Sequence, residues 1–194
     1  MAKRLAVFEN FISDLRTAWA ELPDIEARMK KGTDLLKALV RDASLREASK
    51  SWPSTEGRKN LLFYEDPDYQ FAVNGVVRVP GRKGSIHDHA HAWTAYGIVD
   101  GSETLQRFQR VDDRSREGHA KLRLESVTEG TPGMVDLVPP FDIHAEQGGP
   151  GRSVALILRS ERVAGKTTQG SYDLGKETVR QVDGPTQVPY EITG

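Results

Sequence analysis

The spacing of apolar residues divides the chain near Trp52-Pro53. Ahead of that point Leu5, Phe8, Phe11, Ile12, Leu15 and Trp19 recur at steps of three and four, the period of an amphipathic helix. Ile25, Met29, Leu35, Leu36, Leu39, Val40 and Leu45 continue the rhythm, with an interruption predicted at Gly32-Thr33. Residues 1–52 therefore read as a helical segment whose apolar side covers a sheet. Beyond Pro53 the pattern shortens to runs rich in Val, Ile, Leu, Phe and Tyr, separated by turn residues. Strands are predicted over 60–64, 69–79, 85–90, 93–99, 103–110, 121–127, 133–137, 143–147 and 153–159. A polar tail follows, with an edge hairpin expected around 172–182. Many short strands without intervening helices predict a mainly β barrel or sandwich over 53–194, packed with the helices into one structural domain.

Composition narrows the chemistry. The 194 residues carry 27 Lys and Arg against 28 Asp and Glu, a net charge of −1, so neither nucleic acid nor an anionic membrane is an expected partner. There is no cysteine, which excludes disulfides, thiolate zinc sites, iron–sulfur clusters and a sulfur nucleophile. No apolar run approaches the ~20 residues of a membrane span. The opening stretch lacks the continuous apolar core of a signal peptide, so a cytoplasmic location is expected.

Three of the five histidines, His87, His89 and His91, fall within five residues. On a strand their two-residue period would point all three imidazoles to one face. Neutral imidazole is the commonest protein ligand for transition metals, so the cluster reads as a metal site. His144, which follows the Pro139-Pro140 turn, is the natural third ligand beside His87 and His89. His91 is expected to line the pocket or to support a ligand from behind, with a fourth-ligand role, or an outward position if the strand bends, as alternatives. Asp142 and Gln147 flank His144 and are placed to orient its ring through the free N–H. His119 reads as a surface loop residue.

Two segments resemble the paired motifs of the cupin superfamily. Gly81, His87, His89 and Gly101 match the first motif, and Gly133, Pro139 and His144 match the second. The resemblance implies a double-stranded β-helix (cupin, jelly-roll) barrel with a metal at its mouth, and a homodimer formed by shared edge strands. The usual glutamate between His89 and Gly101 is missing, with Trp93 and Thr94 in its place, and Phe141 replaces the second motif's glycine. A neutral three-histidine ligand set is therefore expected. The His87-Asp88-His89 core, its distance from Gly101 and the N-terminal helices further resemble the thiol dioxygenases. That resemblance implies Fe(II), a small acidic substrate and O2; Zn, Ni, Cu or Mn could also occupy the site in a purified sample.

Departures from the thiol dioxygenase pattern cluster where specificity is set. The carboxylate-binding arginine of that family falls on Lys59, with Arg58 beside it. A polar Ser-x-His-x-Tyr run maps onto Ala155, Ile157 and Arg159, and Thr94 removes the partner of a cysteine–tyrosine crosslink. Cysteine dioxygenase itself is thereby disfavoured. If 155, 157 and 159 face the cavity, Arg159 supplies a guanidinium near the metal, and Arg78 poses the same question. Lys59, Arg159 and Tyr96 are the expected substrate-handling residues, and Trp93 is a candidate pocket wall. Two alternatives stand beside the thiol reading: a three-histidine dioxygenase cleaving a carbon–carbon bond of a diketone or aromatic ketone, and a non-catalytic metal-binding or sensing barrel.

Overall fold

The computed structural model describes residues 4–194; Met1, Ala2 and Lys3, the start of the segment read as helical, lie outside the described residues. Three helices come first: α1 (Ala6–Glu21), α2 (Ile25–Leu39) and α3 (Ala43–Ser49). Asp24 caps α2 by accepting the Ala27 N–H at 2.8 Å, and Asp42 caps α3 through the amides of Ser44 and Leu45. The predicted break at Gly32-Thr33 is not there. Helix α2 runs through it, and the chain turns instead at Val40–Asp42. Gly32 serves close packing, since a Cβ there would lie 2.6 Å from Leu158 Cδ2 of the sheet beneath.

Twelve strands follow. They are β1 (Lys59–Glu65), β2 (Ala72–Arg78), β3 (Ile86–His87), β4 (Thr94–Asp100), β5 (Glu103–Arg110) and β6 (Leu122–Gly130), then β7 (Val135–Val138), β8 (Ile143–Gly148), β9 (Ser153–Arg159), β10 (Thr168–Asp173), β11 (Thr178–Asp183) and β12 (Thr186–Pro189). They form two six-stranded sheets, ordered β12-β1-β2-β9-β4-β7 and β11-β10-β3-β8-β5-β6. Every pairing is antiparallel except β1 with β12. With the N-terminal helices, this mainly β architecture is a double-stranded β-helix.

Strand alternation assigns the two faces of the first sheet. Val154, Leu156 and Leu158 of β9 join Leu15, Trp19, Leu36 and Leu45 in the core beneath the helices. Ala155 and Ile157 face inward with Val76, Tyr96, Ile98 and Leu105. Each large apolar side chain buried in the helix-facing core contributes about 1.5–3 kcal/mol, which fixes the sheet that carries the site. Gly101 closes the β4–β5 turn at φ +74°, where a Cβ would lie 2.3 Å from the Arg152 carbonyl oxygen.

The departures from the predicted strands share one cause, competition from side chains and tertiary contacts. Residues 69–71 belong to a turn around Asp66, whose carboxylate accepts the amides of Asp68 and Tyr69. The run 85–90 keeps only Ile86 and His87 as strand. The expected tail hairpin is present as β10 and β11 at the edge of the second sheet, and the pairing of β10 with β3 brings the tail against the histidine segment. β12, polar and short, was not expected; it exists by pairing with β1.

Candidate metal centre

His87 and His144 are cross-strand partners in the antiparallel β3–β8 pair, so the barrel register alone makes them neighbours. His89 reaches them from a turn. Asp88 is buried and accepts hydrogen bonds from the amides of Ala90 (2.8 Å) and Gly170 (3.1 Å) and from the Tyr172 hydroxyl (2.7 Å). These bonds end β3 and curl the chain, with Ala90 at φ +51°. The three ring centroids stand 4.5–4.8 Å apart, and a ligand nitrogen from each lies within 4.8 Å of the others.

The same turn corrects the reading of His91. It breaks the two-residue period, so His91 points outward, 54% exposed, with Nε2 3.0 Å from Glu161 Oε1. It neither lines the cavity nor supports a ligand. Asp142 does orient His144, through its backbone: the Asp142 carbonyl accepts the Nδ1–H at 3.0 Å. The Asp142 carboxylate is engaged with Arg107, and Gln147 binds the backbone of Gly84 on the opposite side of the strand.

The Ser85 carbonyl accepts the Nδ1–H of His87 in the same way, at 3.0 Å. Both rings therefore carry their lone pair on Nε2. Burial, with His144 nearby, lowers the His87 pKa to about 4; burial, Arg159 and the neighbouring rings push His89 well below its ordinary value. His87 and His89 are thus neutral and able to donate electron pairs at physiological pH.

A carboxylate also stands in the site, and the expected neutral ligand environment is corrected by it. Glu146 lies two residues beyond His144 on β8, hence on the same face, with Oε1 3.4 Å from His144 Nε2. Burial raises its pKa, but the Arg78 guanidinium 3.4 Å away favours the ionised carboxylate, and the net direction is downward. With its Nδ1–H given to the Asp142 carbonyl, a neutral His144 turns its buried, unpartnered Nε2 lone pair toward the Glu146 carboxylate. A divalent cation would resolve that conflict. The donor set fits a transition metal held by His87, His89 and His144.

The cluster opens into a cavity of about 420 Å³. Arg159, at the end of the inward series of β9, lines it while only 3% exposed. It makes no ion pair among the described residues, its Nε has no hydrogen-bond partner, and burial lowers its pKa to about 10. Arg78 is different: Nη1 donates to the Tyr96 hydroxyl at 2.7 Å, and Nη2 lies 3.4 Å from Glu146. The Tyr96 hydroxyl in turn donates a hydrogen bond to Glu103 (2.8 Å), which also accepts from Ser153 (2.7 Å). Tyr96 therefore lines the cavity with its hydroxyl already engaged, and burial keeps it neutral. Lys59 lines the exposed rim, while Trp93 packs into the helix-side core. His119 lies outside the cluster, its carbonyl accepting from Arg110. Glu146 and the buried Arg78–Tyr96–Glu103 chain are the site features that sequence reasoning missed.

No family model matches the chain, and no curated protein matches it. Solved structures resemble parts of it. The cupin domain of Schizosaccharomyces pombe Cnp3 is 10% identical over 53% of this chain and 60% of its own length, with a TM-score of 0.42. An uncharacterised Klebsiella pneumoniae protein with a double-stranded β-helix domain is 14% identical over 58% of this chain and 80% of its own, with a TM-score of 0.41. Oxalate oxidase bound to glycolate gives 14% identity over 58% and 56%, with a TM-score of 0.44. The likenesses are partial, and the fold is read from this chain's own strand order and registers. No described helix is long and apolar enough to cross a membrane.

Proposed function

We propose that the protein is an Fe(II)-dependent dioxygenase of the three-histidine kind, acting on a small acidic substrate whose oxygen-accepting group is a thiol. The observation that carries this reading is the buried, unpaired Arg159 guanidinium in the cavity that His87 and His89 line, beside the three-histidine cluster. A cation left unpaired in a dry site is costly unless an anion completes it. Iron itself is favoured by the resemblance to the thiol dioxygenases.

His87, His89 and His144 would hold the ion, which when bound would supply the redox chemistry that lets O2 react with the substrate. Arg159 binds the substrate's carboxylate by charge-assisted hydrogen bonds, stronger here than in water because the site is shielded. The Ser85 and Asp142 carbonyls hold the His87 and His144 rings so that no reorientation is needed on binding. Glu103, Tyr96 and Arg78 brace the cavity floor and keep Glu146 beside His144. The overall change is R–SH + O2 → R–SO2H, with both oxygen atoms retained and no external reductant consumed.

Anaerobic loading with Fe(II), followed by oxygen uptake with a panel of carboxylate-bearing thiols, β-diketones and aromatic ketones, tests the reading. Uptake with acidic thiols supports it. Uptake with the ketones alone would move the protein to the carbon–carbon-cleaving alternative, and no uptake by iron-loaded protein would leave the non-catalytic one.

A further inference from the structure

The cavity that holds the histidines is far more basic than the chain as a whole. Seven of its lining side chains are Lys or Arg and one, Glu146, is a carboxylate, in a protein of net charge −1. Two of the seven, Arg78 and Arg159, are buried at the inner end. The other five come from three separate segments: Arg58 and Lys59 at the start of β1, Arg82 and Lys83 in the β2–β3 connection, and Arg180 on β11. Among the described residues none of these five forms an ion pair. Two of the forks are held in place by backbone: Arg58 donates to the Asp183 carbonyl at 2.6 Å and Arg82 to the Thr55 carbonyl at 2.9 Å. Five like charges gathered at one opening repel one another, and no described carboxylate pairs with them.

We propose that this mouth is a second anion subsite and that the substrate is a bis-anionic small molecule: a carboxylate at Arg159, and a further carboxylate or phosphate held between Arg58, Lys59, Arg82, Lys83 and Arg180. The inference rests on the acidic-substrate reading of the histidine site and extends it. The two subsites differ in physical character. Arg159 is a single guanidinium, 3% exposed, matched to one planar group entering a dry pocket. The mouth is wet and multiply charged, suited to a group of higher charge that keeps part of its hydration. Pre-held guanidinium forks lose little side-chain freedom when they bind an oxyanion. A cavity of about 420 Å³ is of the size that takes a small molecule, and its concave form distinguishes it from an open basic face for a polymer.

Calorimetric titration of the metal-free protein tests this without relying on turnover. The probes are propionate, a series of linear dicarboxylates from succinate to suberate, 3-phosphoglycerate and inorganic phosphate. At least one bis-anion should bind about tenfold or more tighter than propionate, with the preference shrinking as salt is raised. Whether a dicarboxylate or 3-phosphoglycerate binds more tightly identifies the outer group. In a Lys83→Gln/Arg180→Gln variant, exposed positions whose change leaves the core intact, the bis-anion advantage should fall to about threefold or less while propionate affinity stays. Arg159→Met should abolish propionate binding and leave inorganic phosphate bound at the mouth. Propionate binding that needs Arg159, with no bis-anion preference, would overturn this inference alone. Anion binding indifferent to Arg159, or none at all, would overturn the acidic-substrate reading with it.

Discussion

Replacing Arg159 by methionine should make the metal-free protein more stable while destroying its anion binding. The change removes a cation of similar length from a site only 3% exposed and free of ion pairs. Burial lowers the guanidinium pKa from 12.5 to about 10, which at about 1.4 kcal/mol per tenfold change in proton affinity is roughly 3 kcal/mol against the charged folded state. The sign follows from linkage. Below pH 10 both folded and unfolded chains carry the proton, so the full penalty applies; it shrinks only as the pH climbs from 10 toward 12.5. At pH 7 to 8 a neutral, well-packed thioether should recover about 1–3 kcal/mol, or about 2–4 °C in melting temperature per kcal/mol for a chain of this size. Urea and thermal unfolding of both proteins, each stripped of metal with a chelator and in anion-free buffer, measure the difference. A variant less stable than the parent by more than about 1 kcal/mol would refute the reasoning, because the guanidinium would then be making a stabilising contact that an unpaired cation lacks.

Other consequences follow from the same geometry. The metal-free protein should lose stability as the pH falls from 6.5 toward 4, because His87 stays neutral in the folded chain down to about 4 while the unfolded chain takes up its proton; pH-dependent urea midpoints of the parent and a His87→Phe variant show whether the acid limb flattens. Phe141 occupies a left-handed backbone, φ +62°, with its ring 66% exposed, so Phe141→Gly should stabilise by about 1 kcal/mol in equilibrium unfolding, and a loss would show that the ring packs usefully. Gly101→Ala meets both a positive φ and the Arg152 carbonyl at 2.3 Å and should cost about 2 kcal/mol or more; a neutral result would place the β4–β5 turn elsewhere. Asp88→Asn keeps the shape of the turn that presents His89 but weakens its charge-assisted hydrogen bonds to two amides and the Tyr172 hydroxyl. Metal affinity should fall about 10–100-fold in calorimetry with unchanged stoichiometry.

How far the sequence was legible depended on the range of the forces involved. Strands β5 and β9 were anticipated to the residue because turn chemistry bounds both locally, around an apolar run in β9 and spaced apolar positions, Leu105 and Phe108, in β5. The pairing of His87 with His144 could be anticipated from the motifs, and the β3–β8 register supplies it. His91 escaped because Asp88 withdraws two amides and bends the chain, a side-chain event that period counting does not register. Glu146 is legible by the strand period, because two residues beyond His144 puts its side chain on the same face, although it lies outside the motif position near Thr94 where a carboxylate is usual. The basic mouth could not be read at all. Arg58, Arg82 and Arg180 are far apart in sequence, and only the return of β10 and β11 against β3, and of β12 along β1, brings them to one opening.

The most direct test of the metal centre is anaerobic Fe(II) titration of the parent protein and its His144→Ala variant, with X-ray absorption at the iron edge on the loaded parent. One ion per chain, an imidazole signature of three rings and loss of stoichiometric binding in the variant are the predicted results. Substoichiometric binding by the parent, or a variant that still takes up one ion with the same scattering, would contradict a centre built from His87, His89 and His144.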